Sequence, residues 1–109
     1  MSRRRIPDIT HLQFLVLGMI RGESRLGRDV RRELSRHGVS RSGPAFYQMM
    51  ARLERMRWVE GWYEQITVGD QAVTERRYRI KPAGERAWKD ARAFYDSVAL
   101  AAARRWSDA

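Results

Sequence analysis

Apolar residues recur at intervals of three and four along much of this chain, which is the spacing that one face of an α-helix requires. The first such run is strongly apolar and contains Leu12, Leu15, Val16, Met19 and Ile20. Just before it, Thr10 followed three positions later by Gln13 has the form of a capping box. Gly22 comes directly after the run and suits a helix C-terminus. The pattern therefore predicts a buried first helix between Thr10 and Gly22.

A second helix is predicted from Ser24 or Arg25 to about His37, with its stop at Gly38. Its apolar positions are few and fall at Leu26, Val30 and Leu34. The remaining surface is rich in arginine, at positions Arg28, Arg31, Arg32 and Arg36. A narrow apolar stripe beneath a wide cationic face is typical of the helix that supports a DNA-reading helix and crosses the phosphate backbone.

The third helix is predicted over residues 42–57, with Ser42 as its N-cap and Pro44 just inside the first turn. Its apolar row consists of Phe46, Met50 and Leu53. The opposite face carries Pro44, Gln48, Ala51, Arg52 and Arg55, with Tyr47 on the flank. Such a face suits an ordinary surface helix, but Arg and Gln can also read base edges in a major groove. The cationic second helix favours the DNA-reading interpretation.

After Arg57 the period of the apolar pattern changes from 3.6 to 2, which predicts a β-hairpin over residues 62–80. Gly69-Asp70-Gln71 supplies the turn, and the return strand contains Arg77 and Arg79. A basic hairpin directly after a DNA-reading helix is typical of a wing that lies along phosphates or in a minor groove. The alternative is an edge strand whose charge prevents aggregation.

A long last helix is predicted from Ala83 to about Trp106, after Pro82 has ended the strand. Its apolar positions step by three and four, as in the seam of a coiled coil, at Trp88, Ala91, Tyr95, Val98 and Ala102. A helix this long cannot be covered by so small a body, so its seam needs a partner. A second copy of the chain is the expected partner, and the sequence predicts a homodimer.

The charge of the chain points to a polyanionic partner. The 109 residues have a formal net charge of +9. Residues 21–57 hold ten basic and four acidic side chains, and residues 76–89 hold six basic and one acidic. Between these blocks, residues 60–75 hold four acidic side chains and no basic one. Clustered positive charge of this kind attracts phosphate and releases counterions, as in nucleic-acid binding.

Several classes of function are disfavoured by what the sequence lacks. It contains no cysteine and only two histidines without metal-ligand spacing, so no metal or cofactor is expected. It has no phosphate-cradling Gly-rich loop and no nucleophile beside a histidine, so an enzyme is not expected. The longest apolar run, Phe14 to Ile20, is too short to cross a bilayer, and the N-terminus does not read as a signal peptide. A soluble cytoplasmic protein is expected.

The predicted elements divide the chain into three parts. Residues 1–9 form a basic N-terminal arm, expected to be flexible, with an ordered groove-binding arm as the alternative. Residues 10–81 form the DNA-binding domain, and residues 82–109 form the dimerisation helix. The expected fold class is mainly α with a small β-hairpin, a winged helix-turn-helix with a long C-terminal dimerisation helix.

The residues at the element junctions resemble those of the PadR-like transcriptional regulators. The likeness extends from about Thr10 to Phe94 and rests on Ser42-Gly43, Phe46-Tyr47, Met50, Leu53-Glu54, Val59-Glu60, Arg77-Tyr78-Arg79-Ile80 and Ala83-Gly84. That family consists of winged helix-turn-helix proteins with a C-terminal dimerisation helix. The resemblance implies that Ser42 and Tyr47 touch phosphate or sugar, that Gln48 and Arg52 face the groove, and that Arg77 and Arg79 serve the wing.

The chain departs from the family pattern at three places. Arg57 stands where the family usually has glycine, so the end of the third helix must be closed in another way. Lys81 stands where a threonine usually caps the last helix. Residues 26–30 keep the glycine of a His-Gly-Tyr-Glu-Ile-like segment but replace its His and Tyr. These changes concern the operator and effector rather than the fold.

The sequence as a whole predicts a dimeric, sequence-specific DNA-binding transcriptional regulator, with repression as the expected mode. The predicted DNA contacts are Arg28, Ser40, Arg41, Ser42, Tyr47, Gln48, Arg52, Arg77 and Arg79. The seam from Trp88 to Ala102 is predicted as the dimer interface, and Trp88 and Tyr95 offer a surface for an aromatic small-molecule effector if they are not simply dimer-core residues. The alternative function is a basic winged-helix module that binds RNA or a protein partner.

Overall fold

The computed structural model describes residues 6–107 as four helices and three strands. In chain order these are α1 (His11–Ile20), β1 (Arg25–Leu26), α2 (Gly27–Arg36), α3 (Gly43–Arg55), β2 (Val59–Val68), β3 (Gln71–Ile80) and α4 (Pro82–Ser107). The strands form one antiparallel sheet in the order β1-β3-β2. The predicted fold class, a winged helix-turn-helix followed by a long helix, is confirmed. Residues 1–5 of the predicted N-terminal arm lie outside the described residues.

The core lies between the first three helices and the base of the sheet. Its fully buried members are Val16, Leu17, Ile20, Val30, Leu34, Phe46, Met50, Leu53, Val59 and Tyr78. The apolar rows predicted for α2 and α3 are therefore confirmed as the inner faces of those helices. Their outer faces are left to polar and charged side chains, as the 3.6-residue period requires.

The capping box predicted at the start of α1 is confirmed. The backbone N–H of Gln13 donates to the Thr10 hydroxyl at 3.0 Å, and the Thr10 N–H donates to Gln13 Oε1 at 3.1 Å. Because these bonds satisfy its amide, Gln13 can be buried at low cost. At the other end of the helix, Gly22 has a φ of 90°, which suits the C-terminal position predicted for it.

The second helix begins two or three residues later than the predicted start at Ser24 or Arg25. Arg25 and Leu26 are extended and pair with Tyr78 and Arg77 of β3, so that α2 begins only at Gly27. A Cβ atom at Gly27 would lie 2.9 Å from the Tyr47 ring and 3.1 Å from the Tyr78 ring. Glycine therefore lets the first turn of α2 pack closely against α3 and β3.

The end of α3 is closed by a Schellman motif in which Arg57 takes the place of the usual glycine. The Trp58 N–H donates to the Leu53 carbonyl and the Arg57 N–H to the Glu54 carbonyl, each at 3.0 Å. Arg57 reaches this geometry with a φ of 61°, the only positive φ of a non-glycine residue in the described chain. A left-handed conformation costs an L-residue roughly 1–2 kcal/mol relative to glycine.

The hairpin formed by β2 and β3 has the predicted turn and the predicted end at Ile80, but it begins at Val59, three residues before the predicted start. Its ladder runs from Val59 opposite Ile80 to Val68 opposite Gln71. Gly69 occupies the turn with a φ of 62°, a conformation that glycine adopts without strain. Only the base of the hairpin is buried, and its tip is exposed on both strands.

The first half of α4 packs on the body of the same chain. The Trp88 ring stacks on Phe14 at a centroid distance of 5.6 Å, and Ala91 is fully buried. The Arg21 Nη2 and Glu85 Oε1 atoms are 2.6 Å apart, and the hydrogen bonds from Arg21 hold the pKa of Glu85 below its usual value. Two members of the predicted dimer seam, Trp88 and Tyr95, thus contact α1 of their own chain, and a third, Ala91, is buried.

The second half of α4 projects beyond the body. Val98 is 51% exposed, Leu100 is 54% exposed and Trp106 is 83% exposed. The projection makes the molecule elongated, with principal extents of 61 × 29 × 23 Å. None of the helices within residues 6–107 combines the length and the apolar character that crossing a membrane requires.

The direction in which α4 leaves the body is fixed by a close backbone contact. A Cβ atom at Gly84 would lie 2.1 Å from the carbonyl oxygen of Trp58 and 3.0 Å from the Ile80 side chain. The Lys81 N–H donates to the same Trp58 carbonyl at 2.8 Å. The start of α4 is therefore joined directly to the loop that ends α3.

Candidate nucleic-acid interface

The outer face of α3 is available for contact along its full length. The Ser42 hydroxyl accepts a hydrogen bond from the Ala45 N–H at 3.2 Å and so acts as the predicted N-cap. Gln48 and Arg52 are exposed, and neither side chain makes a hydrogen bond or ion pair with any of residues 6–107. A helix of 13 residues extends about 20 Å, and its diameter fits a major groove. These two side chains are therefore placed as a reading surface would require.

Tyr47 lies on the flank of α3 that faces the sheet rather than on its outermost face. Its ring meets Phe46 edge-on at a centroid distance of 5.0 Å, and the residue is half-buried. Burial raises the pKa of its phenol, and the charge of Glu75 acts in the same direction. The phenol lies against the first turn of α2, so any contact it makes with sugar or phosphate would be at the edge of the interface.

The turn between α2 and α3 brings uncompensated positive charge to the start of α3. Ser40 and Arg41 are exposed in this turn, and the Arg41 carbonyl accepts from Arg31 Nη2 at 3.4 Å. No ion pair with another residue of the 6–107 segment involves the side chains of Arg31, Arg36, Arg41, Arg52, Arg55 or Arg57. Arg28 has a distant partner, Glu75, at 3.9 Å.

The arginines of the wing are in a different situation, because each has a carboxylate partner. Arg77 Nε lies 2.6 Å from Glu64 Oε2, and its Nη1 donates to the Ser24 carbonyl at 3.2 Å. Arg79 is paired with Glu60 across the hairpin, and its side chain is 62% exposed. The pattern of the sequence identified these basic positions but gave no sign of their partners.

The third wing arginine, Arg76, connects β3 of the hairpin to α3. Its Nη2 lies 2.6 Å from Glu54 Oε1, and both side chains are only about a quarter exposed, at 25% and 23%. The Arg76 guanidinium also lies 4.7 Å from the centroid of the Tyr63 ring. Neither Glu54 nor Arg76 was among the predicted site residues, since an ion pair between residues 22 positions apart leaves no periodic signal.

A groove of about 660 Å³ separates α3 from the wing around this ion pair. Its walls include Tyr47, Ala51, Glu54, Tyr63, Thr74, Glu75, Arg76 and Tyr78. Burial raises the pKa of the Tyr78 phenol, which therefore stays protonated at physiological pH. The groove is lined by two carboxylates and one guanidinium, so it does not share the strong positive charge of the α2–α3 turn.

The predicted dimer seam is divided by the fold. Trp88 is packed against α1 and Ala91 is fully buried. Tyr95 is 39% exposed, and its ring centroid lies 6.2 Å from that of Phe14 and 6.4 Å from that of His11, both in α1. Val98 and Ala102 are exposed. Trp88 is further covered by the Arg21 guanidinium, whose carbon lies 3.7 Å from the ring centroid. Over the described part of the chain, no three acidic or histidine side chains come together as metal ligands would.

No protein-family model matches this sequence, and no curated protein matches it. Solved structures do match its fold. A PadR family transcription regulator from hypervirulent Clostridium difficile has a TM-score of 0.73 at 8% identity, over 89% of this chain and 99% of that one. A PadR-like transcriptional regulator from Bacillus cereus has a TM-score of 0.70 at 18% identity, over 87% and 90%.

A third solved structure includes nucleic acid. Bacillus subtilis PadR in complex with operator DNA has a TM-score of 0.60 at 15% identity, over 74% of this chain and 46% of that one. At identities this low, the comparison shows that the chain has the winged helix-turn-helix fold of PadR-like transcriptional regulators, as its junction residues predict.

Proposed function

We propose that this chain, which has the fold of the PadR-like regulators, is a sequence-specific DNA-binding transcriptional regulator without enzymatic activity. The observation that carries the proposal is the outer face of α3. It presents Gln48 and Arg52 free of internal partners, directly beside the unpaired arginines of the α2–α3 turn. The operator complex of the Bacillus subtilis protein supports DNA as the partner. Its site of action would be the cytoplasm, and its mode repression.

The reading contacts are assigned to Gln48 and Arg52. Arginine can donate two hydrogen bonds to the O6 and N7 atoms of guanine, and glutamine can pair with the N6 and N7 atoms of adenine. Both side chains lie on the α3 surface opposite the buried row, so insertion of the helix into a major groove would bring them to base edges. We expect each to specify one base pair.

The anchoring contacts are assigned to the residues around the N-terminus of α3. Ser40, Arg41 and Ser42 would bind phosphate, with Arg28 beside them and Tyr47 at the edge. Arg79 is exposed enough to reach the backbone while keeping Glu60 near. Arg77 already uses Nε for Glu64 and Nη1 for the Ser24 carbonyl, which leaves Nη2 for a phosphate, so its contribution to DNA affinity should be smaller than its charge suggests.

A homodimer formed through α4 is part of the proposal. The projecting half of the helix offers Val98 and Ala102, together with Leu100 and Trp106, as apolar surface for a second copy, and the exposed side of Tyr95 extends this surface toward the body. Two copies would present two α3 helices to half-sites about 34 Å apart, the length of one turn of DNA. We do not expect an aromatic effector to bind at Trp88, because Phe14 and Arg21 already cover its ring.

The test is selection of bound duplexes from a random pool at physiological salt. Recovery of an inverted repeat is the expected result, and Arg52→Ala should lose preference at one position of each half. Arg86→Ala is the matched control, since Arg86 is an exposed arginine of α4 outside the proposed interface. A selected pool without consensus, or stronger binding to structured RNA than to the selected duplex, would contradict the proposal and favour the RNA-binding alternative.

A further inference from the structure

A second feature of the α2–α3 region is a cavity of about 300 Å³ beneath the turn. Its polar lining consists of Arg28, Arg31, Arg32, Ser35, Ser40 and Arg41, and no carboxylate is among the lining residues. The rest of the wall is apolar. Four arginine residues therefore line a partly enclosed space that has room for a small ligand.

Arg31 is the residue of this cavity whose guanidinium lacks a hydrogen-bond acceptor. Its Nε is buried and has no hydrogen-bond partner within the described residues. Its Nη2 makes one long bond, to the Arg41 carbonyl at 3.4 Å. Buried donors are normally satisfied by protein, water or a bound ion, so an orphaned guanidinium nitrogen indicates a place where an acceptor belongs.

The Tyr47 phenol interacts with the Arg31 guanidinium, but it leaves Nε without an acceptor, and no carboxylate within residues 6–107 pairs with Arg31. Arg28 and Glu75 are 3.9 Å apart, and Arg32 and Asp29 are 3.8 Å apart, so both carboxylates are engaged at the limit of an ion pair. Arg31 and Arg41 have no ion pair within residues 6–107. The cavity is thus left with a large excess of positive charge, which excludes a cation and disfavours an apolar ligand.

A tetrahedral oxyanion satisfies these groups best. A guanidinium donates two parallel hydrogen bonds to two oxygens of a phosphoryl or carboxylate group, and a phosphoryl group has a further oxygen that can accept from Ser40 or Arg41. The Arg31 Nη1 lies 3.6 Å from the Cβ position of Gly43, the first residue of α3. The positive end of that 13-residue helix therefore adds to the field at the cavity.

We propose that this cavity is a phosphoryl-binding site, with Arg31 as its central donor and Arg41 and Ser40 at its rim. The phosphoryl group could belong to the DNA backbone or to a free phosphate-bearing small molecule. The first source rests on the function proposed above, whereas the second does not. Either ligand would tie α2 to the start of α3 and would fix the angle at which the reading helix is presented.

The first experiment uses inorganic phosphate and the free full-length protein. Phosphate should raise the unfolding temperature by about 5 °C at roughly ten times its Kd, relative to chloride at the same ionic strength. Arg31→Met should abolish the shift, and Arg31→Lys should weaken it because the fork is lost. Arg86→Met, an arginine of α4 remote from the cavity lining, should leave it unchanged. Circular dichroism confirms that each variant is folded.

The second experiment identifies the source by replacing single phosphates of a selected duplex with neutral methylphosphonates. If the DNA backbone fills the cavity, one position in each half-site should lose on the order of tenfold in affinity for the wild type. The same replacement should cost Arg31→Met nothing, because that variant has already lost the contact. Arg86→Met should behave as the wild type does.

The outcomes of the two experiments separate the possibilities. A methylphosphonate effect that depends on Arg31 assigns the site to the DNA backbone. A phosphate shift that depends on Arg31, without such an effect, assigns it to a free phosphate-bearing ligand. If Arg31 matters in neither experiment, the cavity is not a phosphoryl site. If the wild type binds no duplex at all, the proposed function fails and the phosphate titration still decides this inference.

Discussion

Two sets of arginines in this molecule differ in their surroundings, although each set contains both partly buried and exposed side chains. Arg76, Arg77 and Arg79 on the wing are each paired with a glutamate. Arg31 and Arg41, on α2 and in the turn before α3, have no acidic partner within residues 6–107. Both sets lie in basic segments of the sequence and would be judged alike from charge alone.

The difference shows what each set can contribute. An arginine already bonded to a carboxylate gains less from a phosphate, because the new contact must replace an existing one. An arginine without a carboxylate partner breaks no internal ion pair when it binds an external anion, and it gives up only hydration and side-chain freedom. The wing arginines are therefore expected to act mainly on the fold, and those of the α2–α3 turn mainly on binding.

The largest expected effect is on the free energy of unfolding after replacement of a wing arginine. Arg76→Met should lower the free energy of unfolding by roughly 2–3 kcal/mol, because it leaves the three-quarters buried Glu54 without a partner. Urea denaturation measures this. The double variant Glu54→Met/Arg76→Met is the control and should be more stable than Arg76→Met. An Arg76→Met protein of unchanged stability but weakened DNA binding would place Arg76 in the interface instead.

The next effect concerns sequence preference. Arg52→Ala should cost about 1–3 kcal/mol of discrimination at one base pair of each half-site and leave the other positions unchanged. Binding of duplexes with single substitutions at every position measures this. Arg55→Ala, which removes a neighbouring exposed arginine of the same helix, is the comparison. Equal loss for all duplexes would show that Arg52 contacts phosphate rather than a base.

A smaller effect compares one member of each set through the salt dependence of binding. Arg41→Ala should reduce the slope of log K against log salt by about 1, because one phosphate contact is lost. Arg77→Ala should change the slope much less, since its guanidinium is held by Glu64 and the Ser24 carbonyl. If the two variants reduce the slope equally, internal pairing does not divide the arginines as described.

The smallest effect is a gain. Arg57→Gly should raise the free energy of unfolding by about 0.5–1 kcal/mol, since glycine adopts a φ of 61° without strain but has more entropy to lose on folding. Thermal unfolding measures the change. Arg57→Ala keeps the strain and removes the charge, so it should give no comparable gain. A loss of DNA affinity in both variants would add Arg57 to the anchoring set.

The sequence predicted the parts of this structure that are encoded locally. Thr10 and Gln13 signal the start of α1, and the rows through Val30 and Phe46 signal the inner faces of α2 and α3. The strand β1 was missed because two residues carry no period, and its partner Tyr78 is more than fifty positions away. The charge of the site was visible in the sequence, but the pairing of Arg76 with Glu54 depends on how α3 meets the wing.

The contact between Gly84 and the Trp58 carbonyl couples two parts of the molecule that the sequence treats as separate. Trp58 follows the end of α3, and Gly84 lies in the first turn of α4, the helix that would join two copies of the chain. Because Gly84 has no Cβ atom, its backbone lies directly against the Trp58 carbonyl, and we expect the connection between α3 and α4 to be rigid. In the proposed dimer, the distance between the two α3 helices would therefore be set by the angle at which the two α4 helices cross.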